Sequence, residues 1–213
     1  MKKCEHPLPE PEALRMLWRK LAALDLIMSE TKWLRVHLYE PDWTAEATLG
    51  IVDNGAGDNM HVVFAPEGVV LKGFDHMSAM SPHAREEYEV WPGIYDEVPA
   101  GLLAYLRRDP DVFDADDTTF CLWRSSDDAE WRAGEPADAE GLDDGADFLL
   151  GFLEPTPEEY ADWAGTYFDK PISLSAVQYI YNGQPVTEAV IAELNPERDV
   201  AAAMEELKVL GFI

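Results

Sequence analysis

The chain has 213 residues, of which 42 are Asp or Glu and 16 are Lys or Arg, and its net charge is −26. Hydrophobic residues make up 47% of the chain, which is typical of a folded globular protein and excludes global disorder. A charge of this size and sign repels nucleic acids and anionic membranes. If electrostatics recruits a partner, we expect that partner to be a basic protein.

The cysteines and the N-terminal sequence bear on location. Cys4 and Cys121 give no pattern of a disulfide framework or a cysteine-based zinc site. The segment "MKKCEHPLPEPE" has no apolar run behind its lysines, and no stretch approaches the roughly 18 apolar residues of a membrane span. We therefore expect a cytoplasmic protein with reduced thiols.

The first predicted elements are a helix and a strand. Apolar residues between 14 and 28 recur at three- and four-residue spacing, which indicates an amphipathic helix. The segment 32–40 then alternates between apolar and polar residues, as a half-buried strand does. In this strand the aliphatic residues are expected to face the core, and His37 is expected on the polar face.

Further strands follow in the first part of the chain. Segments 46–54, 60–65 and 68–74 predict three strands that continue the first one as an antiparallel meander. The segment 98–110 predicts a short helix that ends before Pro110. Residues 118–134 predict a β-hairpin with Trp123 and Trp131 on its two arms.

The second part of the chain predicts helices. Residues 134–147 are acidic and glycine-rich, which is typical of a linker or an exposed loop. Beyond them the apolar spacing is helical, and Thr156 with Glu159 forms a capping box. We predict an α+β fold: an N-terminal helix packed on a mainly antiparallel sheet (a meander and a later hairpin), then a helical C-terminal portion. The α+β portion spans residues 1–135 and the helical portion residues 136–213, packed as one compact unit.

The stretch "GFDHMSAMSPH", residues 73–83, has the densest cluster of potentially chemical side chains. In a functional interpretation Asp75 and His76 are candidate catalytic residues, and His76 and His83 are candidate metal ligands. In a structural interpretation the same residues form a turn, and Ser81 caps a short helix that follows it. The turn accounts for most of the stretch and leaves His76, with Asp75 beside it, unexplained.

Motifs for cofactor binding and for common hydrolases are missing from the sequence. It contains no phosphate-binding loop, no complete dinucleotide fingerprint, no H-E-x-x-H, no EF-hand spacing and no G-x-S-x-G. Cys121 lies in the apolar run "FCLW", where a small buried residue is the simpler interpretation than a nucleophile. We predict no cofactor.

The acidic middle of the chain is the candidate binding surface. Residues 109–162 carry eighteen acids and two arginines, a net charge of −16. Exposed carboxylates steer a basic partner, and aromatic anchors supply contact energy. The predicted partner-binding residues are Asp114, Asp116, Asp117, Trp123, Asp127, Asp128 and Trp131. In the alternative interpretation this is a solvated surface that serves solubility, with both tryptophans in the core.

Two functional hypotheses follow from these observations. The first is a protein-interaction module that binds and neutralises a basic partner, with the character of an immunity protein, an inhibitor or a nucleic-acid mimic. The alternative is a small metal-binding protein or a hydrolase-like enzyme that uses the 73–83 loop. The identity of the partner, the oligomeric state and the strand order are left open by the sequence.

Overall fold

The computed structural model describes residues 2–213, with all side chains except those of Lys2 and Asp111. No helix of this described part combines the length and the apolar character needed to cross a membrane. The strands are β1 (Lys2–Lys3), β2 (His37–Glu40), β3 (Thr48–Asp53), β4 (Asn59–Ala65), β5 (Gly68–Phe74), β6 (Phe120–Ser125) and β7 (Arg132–Ala133). The α-helices are α1 (Pro11–Met28), α2 (Ala100–Leu106), α3 (Pro110–Phe113), α4 (Ala146–Leu150), α5 (Pro157–Tyr167), α6 (Leu174–Tyr181), α7 (Glu188–Leu194) and α8 (Val200–Val209).

The strands form one antiparallel sheet in the order β1-β7-β6-β5-β4-β3-β2. The meander β2 to β5 and the hairpin β6–β7 meet between β5 and β6. The two-residue turn 66–67 sets Ala65 opposite Gly68, and the same register sets Asn59 opposite Phe74 at the far end of the hairpin. The predicted α+β class is confirmed, with a helix before the antiparallel sheet and helices after it.

Each face of the sheet has its own apolar core. On one face α1, through side chains such as Trp18, packs together with residues of the C-terminal helices. The other face is covered by residues 75–118 and 134–145, which contain α2 and α3 but consist mostly of turns. Neighbours along a strand point to opposite faces, so Val70 lies in the second core and Leu71 in the first.

The segment 32–40 differs from its predicted strand. Lys32–Leu34 is a 3₁₀ helix, and the strand begins only at His37. The prediction that His37 lies on a polar face is wrong, because its side chain is buried beneath α1 and contacts the carboxylate of Asp25. The core accepts this polar pair, so Val36 and His37 are both buried, whereas Leu34 in the 3₁₀ helix is exposed.

Two predictions for the irregular regions are only partly met. The helix expected from Pro82 is a single 3₁₀ turn, Pro82–Ala84, which Ser81 caps. Residues 134–147 contain no strand and consist of turns until α4 begins. They do not extend away from the protein, because Trp91 donates from Nε1 to the carbonyl of Ala137 and Ala139 joins the second core.

Candidate functional site

The 73–83 loop leaves β5 as a series of turns that its own polar side chains stabilise. The carboxylate of Asp75 accepts the backbone N–H of Met77 at 2.8 Å. The hydroxyl of Ser78 accepts a second amide within the loop and donates to the carbonyl of Asp143 at 2.7 Å. These contacts are the local roles expected of turn residues. His76 has no such role within the turns, and its side-chain partner lies in another loop.

That partner is Asp58, from the loop between β3 and β4. Asp58 Oδ1 accepts the backbone N–H of His76 at 2.9 Å and contacts its ring Nδ1 at 2.6 Å. Asn54 donates to Asp58 Oδ2 at 2.7 Å. Burial opposes ionisation of Asp58, but the hydrogen bonds from Asn54 and His76 hold its pKa below the ordinary value. With Nδ1 facing the carboxylate, Nε2 is the ring nitrogen available to a ligand, and the His76 side chain is 41% exposed.

The register of the β4–β5 hairpin brings Asp75 to the same place. Asn59 pairs with Phe74, so Asp58 and Asp75 both lie one residue beyond the end of the paired strands. One ligand atom each of Asp58, Asp75 and His76 lies within 4.8 Å of the others. One imidazole and two carboxylates suit a cation such as Zn²⁺ or Mn²⁺. A histidine oriented by a buried aspartate is also equipped for proton transfer.

Sequence reasoning missed Asp58, although the signal was present. The strands 60–65 and 68–74 and the short turn between them were all predicted. Counting outward from that turn pairs residue 65 with 68 and therefore sets 58 opposite 75. The register alone thus identifies the third member of the group.

His83, the other candidate metal ligand, does not belong to this group. Its Nε2 lies 2.9 Å from Asp117 Oδ1, and its ring packs against Tyr88 at 5.1 Å between centroids. Tyr88 donates its hydroxyl to the same carboxylate oxygen at 2.9 Å. His83 therefore helps to fix Asp117 in position, and the group of three possible ligands in the described residues includes His76 but not His83.

The two tryptophans of the predicted partner-binding surface are in the core. Trp123 is 1% exposed and belongs to the second core, whereas Trp131 is 7% exposed and belongs to the first. Trp131 also donates from Nε1 to the carbonyl of Pro9 at 2.8 Å. Because the hairpin turns one ring into each core, neither ring offers area to a partner, and the predicted surface is corrected to its carboxylates.

Three of the five predicted aspartates, Asp114, Asp116 and Asp117, lie around a buried cation. Asp114, Asp116 and Asp127 are exposed, while Asp117 and Asp128 are half-buried. Lys72 of β5 is fully buried, and its Nζ donates to the backbone carbonyls of Asp114 at 2.8 Å and Asp117 at 2.7 Å. Lys72 therefore holds the 114–117 loop through two backbone carbonyls, and the carboxylates of Asp114 and Asp116 face solvent.

The cover of the second sheet face is strongly acidic. Residues 75–118 and 134–145, called the acidic layer below, contain sixteen acids and three arginines, a net charge of −13. One of those arginines, Arg85, is already paired with Glu89 at 3.2 Å and lies over the ring of Trp91. The sequence did not reveal this layer, because its two segments are separated by β6 and β7 and meet only in the fold.

A groove on α5 is a second feature that sequence reasoning missed. Trp163 and Tyr167 stack with 5.2 Å between their ring centroids and 13° between their planes. They line a groove of about 470 Å³ together with Thr166 and three carboxylates, those of Glu154, Glu159 and Asp162. The signal in the sequence is the spacing, since an aromatic pair four residues apart shares one helix face.

No protein-family model, curated protein or solved structure matched this chain in the three comparisons that were made. The geometry of its own residues therefore carries the functional argument.

Proposed function

We propose that this protein is an interaction module that binds and neutralises a basic protein partner. The observation that carries the proposal is the acidic layer, which concentrates a net charge of −13 on one side of the sheet. Opposite charge on a partner would accelerate encounter and orient it toward this side. The same field disfavours nucleic acids and anionic membranes as ligands.

The exposed carboxylates of the layer support binding more than folding. Asp114 and Asp116 are exposed, and no lysine or arginine in the described part of the chain forms an ion pair with either of them. Their charges act on the buried Lys72 beneath them and on any partner that approaches from solvent. Because such charges are screened within roughly 10 Å at 0.1 M salt, binding through them depends steeply on ionic strength.

The proposal is tested with a fluorescein-labelled peptide of alternating lysine and glycine, used as a generic cationic probe. Fluorescence anisotropy gives its Kd for the full chain between about 50 and 300 mM salt. We expect the triple variant Asp114→Asn/Asp116→Asn/Glu140→Gln, at three exposed positions of the acidic layer, to raise the Kd on the order of tenfold at low salt. We also expect the difference from the wild-type protein to shrink as the salt concentration increases.

A matched triple variant separates a binding face from bulk charge. Asp169→Asn/Glu188→Gln/Glu205→Gln removes the same number of exposed charges from the helical side, and we expect it to change the Kd less than twofold. An equal loss in both triples would overturn the acidic layer as the binding face. A Kd that does not depend on salt would overturn the electrostatic basis of the proposal.

Divalent-cation binding at Asp58, Asp75 and His76 is a second candidate function. The observation that favours it is the proximity of their ligand atoms, within 4.8 Å, around an imidazole whose Nδ1 is already oriented by Asp58. A cation bound between these three atoms would replace the hydrogen bond between His76 and Asp58, because a metal binds the deprotonated ring nitrogen. In this group Asp58 is buried, while Asp75 and His76 face outward.

Titration calorimetry of the metal-free protein with Zn²⁺ and with Mn²⁺ tests this second function. We expect one cation per chain, with Asp75→Asn and His76→Gln each lowering the affinity at least about tenfold. The variant His83→Gln is the control, because His83 lies outside the group, and it is expected to bind as the wild-type protein does. Binding that survives both site substitutions would place the cation elsewhere and remove the support for this function.

A further inference from the structure

We infer that the groove on α5 binds the guanidinium group of an arginine side chain of the basic partner, stacked against Trp163 and Tyr167. The inference rests on the proposed function in one respect, the basic character of the partner. It adds a second contact area, on the helical side of the sheet, and it names the side chain that this area takes.

The shape of the groove favours a flat cation. Trp163 and Tyr167 stack on each other, so their facing sides are occupied, but Tyr167 is 40% exposed and offers the rest of its ring surface to a ligand. A guanidinium group is planar and weakly hydrated, so it stacks on an aromatic face at a small desolvation cost. An ammonium group is a compact, strongly hydrated charge that gains less from such a surface.

The charge of the groove is complementary to such a ligand. Glu154, Glu159 and Asp162 line it, and none of them forms an ion pair with a lysine or arginine among residues 2–213. Glu154 is half-buried, and burial together with the charges of Glu159 and Asp162 raises the pKa of its carboxyl. A bound guanidinium would relieve this repulsion and donate its N–H groups to the carboxylates in fork geometry.

The groove is rigid before any ligand arrives. Thr156 and Glu159 form a capping box at the start of α5, which fixes the carboxylate of Glu159 near the helix end. Trp163 is wedged between Tyr160 at 5.6 Å and Phe168 at 6.0 Å between ring centroids. Binding to a preorganised site avoids the entropy cost of ordering side chains.

The contact between Trp163 and His37 ties the groove to the core. The imidazole of His37 meets the indole of Trp163 edge to face, at 5.2 Å and 78°. Tyr160, one turn before Trp163, donates its hydroxyl to the buried Asp25 at 2.9 Å. The aromatic wall is therefore anchored from behind, and Tyr167, which is 40% exposed, forms its solvent-facing side.

NMR titration of the ¹⁵N-labelled full chain tests the inference. The probes are Nα-acetyl-arginine methylamide, the matching lysine derivative and the matching citrulline derivative, which has nearly the shape of arginine but no charge. The indole N–H signal of Trp163 is assigned by its loss in Trp163→Phe. We expect saturable shifts with arginine, with affinity at least about fivefold weaker for lysine and about tenfold weaker for citrulline.

Substitutions in the groove complete the test. We expect Glu154→Gln and Tyr167→Leu each to weaken arginine binding at least about threefold. The matched controls Glu188→Gln on α7 and Tyr179→Leu on α6 are expected to leave it unchanged. Equal binding of lysine or citrulline, or binding indifferent to both groove substitutions, would overturn the inference.

The outcomes for the two proposals are separable. Arginine binding in the groove should be unaffected by the Asp114/Asp116/Glu140 triple variant, which changes only the acidic layer. If the lysine–glycine peptide binds to the acidic layer and arginine does not bind to the groove, the inference fails and the proposed function stands. If arginine binds to the groove and the peptide ignores the acidic layer, the proposed function fails instead.

Discussion

His37 and Asp25 form a fully buried pair in which the imidazole is hydrogen-bonded at both nitrogens. Nδ1 lies 3.0 Å from Asp25 Oδ2, and Nε2 lies 2.7 Å from the carbonyl oxygen of Phe152. A carbonyl oxygen only accepts, so Nε2 carries a proton. Asp25 also accepts the hydroxyl of Tyr160 and the backbone N–H of His37, as a carboxylate does, so Nδ1 carries a proton as well. The pair is therefore an imidazolium and a carboxylate inside the core.

The protonated state of His37 predicts how stability depends on pH. Burial alone would lower the pKa of His37, but the charge and hydrogen bond of Asp25 outweigh it, and the pKa is raised above 6.5. A folded-state pKa above the unfolded value means that the stabilisation is complete below about pH 6.5 and is lost as the pH rises through the folded pKa. We expect urea unfolding between about pH 6 and pH 9 to show this loss of free energy of unfolding.

The variant His37→Gln isolates this contribution. It leaves Asp25 buried without its cation, and we expect a loss of about 3 kcal/mol at pH 6 and a flatter pH profile. His83→Gln is the control, because that imidazole is 56% exposed, and it should change stability by less than about 0.5 kcal/mol. A pH profile that His37→Gln leaves unchanged would contradict the imidazolium assignment.

The pair also shows where reasoning from periodicity reaches its limit. The alternating pattern of 32–40 assigned His37 to the polar face, because hydropathy places histidine outside. His37 is buried instead because it pairs with Asp25, a single acid in the apolar run of α1 that is distant in sequence. The capping box at Thr156 depends on neighbours in sequence, and it was predicted correctly. Polar pairs between distant segments leave no periodic signal.

The residues of the candidate site also divide into those that local sequence predicts and those that only the fold brings together. Asp75 and His76 were identified from composition, and Asp58 follows from hairpin register, which is nearly local information. The acidic layer and the two buried tryptophans depend on which segments cover which sheet face. That choice is made by packing across the whole molecule, so it is not contained in any short window of sequence.

Side chains from the segment between α7 and α8 donate hydrogen bonds to the C-terminal end of α1. The carbonyls of Ile27 and Met28 accept Asn195 Nδ2 at 3.1 and 2.9 Å. Arg198 donates to the carbonyl of Leu26 at 3.2 Å. These are the carbonyls that a helix end leaves without partners of its own, so this contact joins α1 to the segment between α7 and α8.

We expect Glu206→Gln to weaken this contact. Glu206 accepts Arg35 Nη1 at 2.7 Å and Arg198 Nη2 at 2.6 Å, and both arginines are buried. Loss of the carboxylate leaves the buried Arg35 without its ion pair, and it leaves Arg198 with Glu30 alone, at 3.2 Å from Nη1. Because Glu206 is 32% exposed, the expected loss is about 2 kcal/mol, less than for a fully buried pair. Chemical denaturation measures it.

The neighbouring variant Glu205→Gln is the matched control for that measurement. Glu205 pairs only with the exposed Lys208, so its loss should cost less than about 0.5 kcal/mol. Acid titration gives a second readout. Burial raises the pKa of Glu206, but Arg35 and Arg198 outweigh it and hold the pKa below its ordinary value. The stabilisation by Glu206 is therefore present above about pH 4.5 and is lost as the pH falls through the folded pKa. Equal effects of the two variants would show that the arginines do not depend on Glu206.

Lys72 gives the opposite pH dependence to that of His37. Burial lowers the pKa of Lys72 to about 8, against the opposing charges of Asp114 and Asp117. Between about pH 8 and 9.5 Lys72 holds its proton more tightly in the unfolded chain than in the folded protein. The free energy of unfolding therefore increases with pH in this range, by up to about 1.4 kcal/mol per pH unit. In Lys72→Met we expect that slope to be absent. We also expect faster amide exchange in residues 114–118, whose carbonyls lose their donor.

A pair of glycine-to-alanine substitutions tests how α1 packs on the sheet. A Cβ added at Gly50 of β3 would lie 2.6 Å from the indole of Trp18, which is fully buried and donates from Nε1 to the carbonyl of Leu38 at 3.1 Å. The ring is fully buried, so we expect Gly50→Ala to cost about 2 kcal/mol.

Gly101 lies exposed in α2, and a Cβ there meets only Glu67 Cγ at 3.6 Å. We expect Gly101→Ala to stabilise the protein by about 0.5 kcal/mol, because alanine favours the helix. Urea unfolding of both variants measures these changes. If Gly50→Ala leaves the free energy of unfolding unchanged, Trp18 is not held against β3.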